Sequence, residues 1–201
     1  MSETLHDRLF EDLVFLYSKE CRFSDEIKDG IKKDISWMWT DSANLQEKRS
    51  AKYLGCGLWS KEALNVLYEM DWETKKPIRK KTGSDYQRYL RHEHVYPRKD
   101  FKESCDAFFK HGYSENELYE FKEKLEEFFC GCVITKEEDR HLPRGSNAHV
   151  EFSSLSTKEY WSRYRDYNEA HKDNPIEVYK CKWESNGRSW NLVCVSRVEM
   201  E

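Results

Sequence analysis

Apolar residues recur every three or four positions through most of the first 70 residues. In the stretch 4–20 they follow Thr4, a residue type that readily caps a helix. The same spacing recurs over 24–39, 42–57 and 60–70. The pattern therefore predicts that this part of the chain is almost wholly helical, in four segments.

The centre of the chain has a different pattern. Residues 70–86 carry Pro77 among many charged residues, which is typical of a loop or an exposed hairpin. A short strand is predicted next, and it ends before Pro97 because the residue before a proline is pushed toward extended geometry. Two helices are predicted after it, over 98–112 and 114–129.

The last third mixes short strands and helices. CGCVIT at 130–135 predicts a strand, and Thr135 with Glu138 forms a capping-box pattern that opens a helix. A further helix is predicted over 156–171. The pair Asn186-Gly187 predicts a C-terminal hairpin with a two-residue turn.

That turn implies a register for the hairpin. It sets Trp183 opposite Trp190, Cys181 opposite Leu192, and Tyr179 opposite Cys194. One face is then apolar throughout, which favours a well-specified register. Cys181 and Cys194 are not directly opposed in it, which argues against a disulfide between them.

The order of these elements predicts an α+β fold that is mainly helical. We expect a helical N-terminal subdomain over 1–72 and an α+β core over 73–201 that ends in a helix and a hairpin. One compact domain is the alternative, and 201 residues suit either arrangement.

The composition agrees with a folded protein. Charged residues make up 36%, above the usual quarter, but 14% of the residues are aromatic, and disordered chains are poor in aromatics. No stretch approaches the ~18 apolar residues of a membrane span, and the N-terminus is acidic where a secretory signal is basic. Seven cysteines without a Cys-x-x-Cys pair are typical of buried thiols. We expect a cytoplasmic protein with no membrane partner.

The charge is unevenly distributed, although the net value is only -4. Residues 73–102 carry ten Lys or Arg against four acids, and residues 114–139 carry three Lys against nine acids. This pattern indicates either a phosphate-binding face with an acidic flank or two solvated faces. The chain contains no glycine-rich phosphate loop and no Gly-x-Ser-x-Gly elbow.

The stretch RHEHVYPRKD, residues 91–100, concentrates the candidate chemistry. Glu93 offers oxygen ligands of the kind that Mg²⁺ or Mn²⁺ prefers. His94 is a residue type that can take a proton from water near neutral pH. Basic residues that could hold a phosphate surround them: Arg91, Arg98 and Lys99.

EHVYP resembles the acid-His-aliphatic-x-Pro signature of the His-Me finger nucleases, which include the HNH endonucleases. In that family a second strand and a helix with further metal ligands follow, and here CGCVIT and KEEDRHL are similar to those parts. The resemblance covers about residues 88–142 and implies a small antiparallel ββα-type centre. Two predicted helices separate the two strands, a longer connection than in compact members.

The resemblance implies a metal-dependent nuclease that cleaves DNA, with RNA as the other substrate left open. His94 would be the general base, with His92 as the alternative, and Arg98 would assist at the phosphate. Glu93 would hold Mg²⁺ or Mn²⁺ together with His141 or Asp139. The residues expected to grip the nucleic-acid backbone are Arg91, Lys99, Lys75, Lys76, Arg79, Lys80 and Lys81.

Two other functions compete with this one. A histidine beside a glutamate before a proline is more often a polar turn or strand end than a catalytic site. The first alternative is a non-enzymatic interaction or inhibitor protein, which would use the acidic helix between Glu115 and Glu127. A nucleic-acid binder with a degenerate nuclease site is the second alternative. A homodimer or a protein partner is compatible with each of them.

Overall fold

The computed structural model describes residues 4–41, 56–68, 70–71, 76–77, 89–143, 157–185 and 190–200. The helices are α1 (Leu5–Tyr17), α2 (Asp25–Asp41), α3 (Lys61–Tyr68), α4 (Arg98–Lys110), α5 (Glu115–Phe128), α6 (Lys136–His141), α7 (Thr157–Tyr160) and α8 (Ser162–Ala170). The strands are β1 (Leu58–Ser60), β2 (Met70–Asp71), β3 (Lys76–Pro77), β4 (Leu90–His94), β5 (Gly131–Thr135), β6 (Val178–Ser185) and β7 (Trp190–Arg197). Most of the helix predicted over 42–57 lies outside the described residues.

The helix ends follow the capping signals of the sequence. Thr4, Ser114 and Thr135 each accept a hydrogen bond from the backbone N–H three residues later, and each is matched by an acidic side chain that reaches back to the cap. After α4, Gly112 has a φ of +74°, a left-handed conformation that glycine adopts without steric cost. The predicted starts of α1, α5 and α6 are confirmed.

Five strands form one mixed sheet in the order β4-β5-β1-β6-β7. β4 is antiparallel to β5, and α6 follows β5 directly, so the small antiparallel ββα-type centre is confirmed within a mainly helical α+β fold. β2 and β3 pair separately as a two-stranded ribbon.

Strand β1 was not predicted. It runs parallel to β5 and antiparallel to β6, and all three of its residues are buried. A segment of three residues that is covered on both faces has no alternation for a periodicity to detect. Because β1 comes from the segment predicted as a helical subdomain, the sheet is built from both sides of the predicted boundary at residue 72.

The predicted register of the hairpin is wrong by two residues. The observed pairs are Ser185 with Trp190, Trp183 with Leu192, and Cys181 with Cys194. Four residues, 186–189, separate the last pair instead of two, and a register shift beyond Cys181 brings Tyr179 opposite Arg197. The predicted turn at Asn186-Gly187 lies outside the described residues.

Helices cover both faces of the sheet. On one face Trp59 and Val133 pack with α3 through Leu64 and Leu67. On the other face the side chains of β1, β5 and β6 join the aromatic residues of α8 in the larger core, which extends to α1, α4 and α5. None of the described helices is long and apolar enough to cross a membrane.

Candidate functional site

Strand β4 divides the predicted site residues between two faces of the sheet. It pairs with β5 without interruption, with His92 opposite Val133, Glu93 opposite Cys132 and His94 opposite Gly131. In a regular strand successive side chains point to opposite faces. His92 and His94 therefore lie on one face, whereas Glu93 lies on the other.

The histidine face of β4 is part of the interior. The His94 ring lies 4.8 Å from the Trp37 ring and 4.9 Å from the His92 ring, and its Nε2 atom is 3.4 Å from Thr40 Oγ1. Burial lowers the pKa of His94 to about 2, and the charges of His92 and Arg98 act in the same direction. A neutral imidazole with so low a pKa is a weak proton acceptor at neutral pH.

A glycine in β5 makes room for these rings. A Cβ atom added to Gly131 would lie 2.2 Å from His92 Nε2 and 3.0 Å from Cys56 Sγ. The first distance is a severe overlap, and the second is tighter than ordinary van der Waals contact. The glycine of the CGCVIT strand is therefore required by the position of the buried His92 side chain.

The opposite face of β4 carries alternating charges. Arg163 of α8 donates from Nη1 to Glu93 Oε1 at 2.5 Å and from Nε to the Pro143 carbonyl at 2.9 Å. Arg91 Nε lies 3.8 Å from Asp139 Oδ2. Burial raises the pKa of Glu93 in spite of Arg163, and the Asp139 charge raises it further. The two carboxylates are thus close enough to interact, and each is paired with an arginine.

The two remaining predicted site residues, His141 and Arg98, have partners other than these four charged residues. His141 Nδ1 is 2.9 Å from the Glu137 carbonyl within α6. Arg98 donates to Ser36 Oγ at 3.1 Å, and its guanidinium lies 4.4 Å from the centre of the Trp37 ring.

Of the seven basic residues predicted to contact nucleic acid, the structure describes three. Lys99 is exposed and pairs with Glu103 at 3.5 Å, whereas Arg91 is engaged by Asp139. Lys76 lies in β3. The remaining four, Lys75, Arg79, Lys80 and Lys81, lie outside the described residues.

These residues do not fit the metal ion that the family resemblance implies. The proposed base and the proposed carboxylate ligands are on different faces of the sheet, and an arginine already neutralises each carboxylate. Within the described residues, no group of three His, Cys, Asp or Glu side chains is arranged to hold a metal ion.

The sequence did not indicate Arg163 as the partner of Glu93. Arg163 lies 70 positions after Glu93, and nothing in the local pattern of α8 distinguishes it from the neighbouring Arg165. Only the packing of α8 on the sheet brings the pair together.

A second charged surface lies on α5. Its buried side carries Phe121, Leu125 and Phe128. Its outer side, the acidic face, consists of Tyr119 and five exposed glutamates, Glu115, Glu120, Glu123, Glu126 and Glu127. The Tyr119 side chain is 63% exposed and donates to Glu123 Oε1 at 3.0 Å. Among the described residues, Glu126 is the one glutamate of this face that forms an ion pair, with Lys122 at 3.6 Å.

Comparison of the chain with protein-family models, with curated proteins and with solved structures finds no match. Two surfaces are candidates for a functional site. One is the charged layer beside β4, which consists of Arg91, Glu93, Asp139 and Arg163, and the other is the acidic face of α5.

Proposed function

We propose that the chain is a non-enzymatic interaction protein that acts in the cytoplasm, and that the acidic face of α5 binds a basic surface of a partner protein. The observation that carries this proposal is the cluster of five exposed glutamates around an exposed tyrosine on one helix face. Like charges at this spacing repel each other and lower the stability of the helix. Lysine and arginine side chains of a partner would relieve that repulsion.

The side of α5 away from the acidic face is anchored to neighbouring helices, which favours binding. The Phe121 and Phe108 rings stack with their centres 4.1 Å apart, and Lys122 forms a short ion pair with Asp7 of α1. A surface that is ordered before binding loses less conformational entropy when it binds.

Tyr119 would add an aromatic contact to the electrostatic attraction of the glutamates. Tyrosine is enriched among the residues that dominate binding energy, and its ring attracts an arginine guanidinium. The surrounding carboxylates would accelerate the encounter with a basic surface and orient it. Tyr119 is therefore the expected centre of the contact.

The experiment titrates the full chain with a fluorescent basic probe, a decapeptide of alternating arginine and serine. The test variant Glu120→Lys/Glu123→Lys is compared with Glu11→Lys/Asp12→Lys, which makes the same change in net charge at exposed positions of α1. We expect the test variant to bind at least tenfold more weakly and the control to stay within about twofold. Equal loss in both variants would show that only net charge matters and would reject a specific face.

Tyr119→Ala separates a shaped contact from an electrostatic one, because it leaves every charge in place. We expect it to weaken binding about tenfold, the effect of losing a central aromatic contact. An unchanged affinity would remove Tyr119 from the proposal. A wild-type protein that does not bind the probe at low salt would reject the proposal itself.

The second candidate is the metal-dependent nuclease, and it rests on the ββα arrangement of β4, β5 and α6 alone, because Glu93 and Asp139 are each paired with an arginine. Its test is cleavage of plasmid DNA with Mg²⁺ or Mn²⁺ by wild type, His94→Ala and Glu93→Gln. Cleavage that both substitutions abolish would favour the nuclease over the interaction protein. Salt-sensitive DNA binding without cleavage would favour the binder with a degenerate site.

A further inference from the structure

Two cysteines face each other across the C-terminal hairpin. Cys181 of β6 is directly paired with Cys194 of β7, and their sulfur atoms are 3.4 Å apart. The contact exists because four residues separate the last strand pair, since a two-residue turn would have placed Leu192 opposite Cys181.

The two side chains already face each other across the strands. The Cys181 N–H donates to the Gly57 carbonyl at 2.8 Å, next to β1, and therefore points away from β7. Cys181 and Cys194 thus oppose each other without a backbone hydrogen bond from the Cys181 N–H to β7, beside the register shift between Lys180 and Cys181. The sulfur atoms of a disulfide are about 2.0 Å apart. Bond formation therefore requires these two sulfurs, now 3.4 Å apart, to approach each other further.

We propose that Cys181 and Cys194 are an oxidation site, at which a small-molecule disulfide or a peroxide converts the two thiols into an intramolecular disulfide. With a disulfide R–S–S–R, the Cys194 thiolate attacks one sulfur, forms a mixed disulfide and releases R–S⁻. Cys181 then loses its proton and attacks Cys194 Sγ, and the second R–S⁻ leaves. One small disulfide is reduced to two thiols while one protein disulfide forms. With a peroxide, Cys194 becomes a sulfenic acid, and Cys181 displaces water.

The exposure of the two thiols sets this order. Cys194 is half-buried, whereas Cys181 is only 4% exposed. The hydrogen bond to Cys194 and burial both raise the pKa of the Cys181 thiol, so Cys181 stays protonated until its partner has reacted. Cys194 is therefore the residue that the oxidant meets first.

The disulfide would fix an edge of the sheet. β7 is an outer strand, and the bond would tie it to β6, which pairs with the central strand β1. Closing a loop of this length restricts the unfolded chain. We expect the midpoint temperature of unfolding to rise by about 5–10 °C on oxidation.

The experiment oxidises the purified full chain with oxidised glutathione or with hydrogen peroxide, and maps peptides under non-reducing conditions. We expect one linked peptide that joins Cys181 to Cys194, a fall from seven to five in the thiols counted after denaturation, and reversal by dithiothreitol. Cys181→Ser should keep one glutathione on Cys194. Cys130→Ser, which removes another half-buried thiol, should close the disulfide as wild type does. Both cysteines recovered as thiols, or linked to other cysteines, would overturn the proposal, and the wild-type map decides this even if a variant does not fold.

Discussion

Glu138 accepts hydrogen bonds at the N-termini of both α6 and α3. Its replacement tests how much this shared cap contributes to the free energy of unfolding. Its Oε2 atom accepts hydrogen bonds from the Thr135 N–H at 2.7 Å and from the Ser60 hydroxyl at 2.8 Å. Ser60 in turn accepts from the Ala63 N–H at 3.1 Å and so caps α3. Glu138 is only 7% exposed, so its carboxylate shields these hydrogen bonds from water. We expect Glu138→Ala to weaken both helix starts at once.

The magnitude follows from the groups that lose their acceptor. The Thr135 N–H and the Ser60 hydroxyl would be left without a partner, and each buried unsatisfied group costs about 1–3 kcal/mol. Part of this loss is offset, because burial raises the pKa of Glu138, which means that the ionised carboxylate is itself poorly solvated. We expect a net decrease in the free energy of unfolding of roughly 2–4 kcal/mol.

The assay is urea unfolding at pH 7, followed by tryptophan fluorescence and by circular dichroism. The matched control is Glu137→Ala, one residue earlier on α6, where the side chain is exposed and pairs with Arg140 at 2.9 Å. An exposed pair of this kind contributes less than about 1 kcal/mol. If both variants lost the same stability, or if Glu138→Ala cost less than about 0.5 kcal/mol, the shared cap would not be a stabilising element.

Three further substitutions are tested by the same unfolding assay. Gly131→Ala should cost at least about 1–3 kcal/mol, because its methyl group would overlap the buried His92 ring, and an unchanged midpoint would refute that packing. Gly30→Ala is its control: nothing lies within 4 Å of the added atom in the middle of α2, so it should stabilise the protein by about 0.5–1 kcal/mol. Asp100→Asn should stabilise the protein by about 1 kcal/mol at pH 7, because both buried Asp100 oxygens have no hydrogen-bond partner in the described part of the chain and burial raises the pKa of this carboxyl. Since a raised pKa means that the folded state holds the proton more tightly, wild type loses stability relative to Asp100→Asn as the pH rises from 3 to 7, and a constant difference would contradict this cause.

The helices could be predicted because their signals are local. The start of α5 depends on Ser114 and Glu117, three residues apart, and the end of α4 depends on Gly112. Strand β1 lacks such signals, since its position is set by pairing with β5 and β6, far away in the sequence. The order of the strands in the sheet could therefore not be predicted from local sequence patterns.

The register of the hairpin could not be predicted for a different reason. A slip of one residue would have turned the apolar side chains of β6 to the wrong face, so the pattern excludes it. A slip of two residues keeps every side chain on its own face, and the pattern does not distinguish it from the correct pairing. The Cys181–Cys194 contact depends on that distinction.

The candidate site was predicted in its chain topology and not in its geometry. The antiparallel pairing of residues 90–94 with 131–135 is present, and Glu93 lies near Asp139 as expected. The chemistry required His94 and Glu93 to face one site, which needs a bulge or a strong twist in β4. The ladder between β4 and β5 runs without one, so strand alternation sends the histidine into the interior.

The connection between β4 and β5 of the ββα centre carries the helix proposed to bind the partner. Helices α4 and α5 are inserted there, and the insertion is closed at its base by the Val95 N–H, which donates to the Cys130 carbonyl at 3.3 Å, and by the Phe101 and Phe129 rings, stacked 4.2 Å apart. These contacts join the two helices to the ββα centre. The acidic face lies on the outer side of the second helix, α5, whereas Glu93 pairs with Arg163 of α8. Substitutions at Glu93 or Arg163 therefore remove none of the residues proposed to bind the partner, and the proposed binding and any chemistry at β4 can be tested with separate variants.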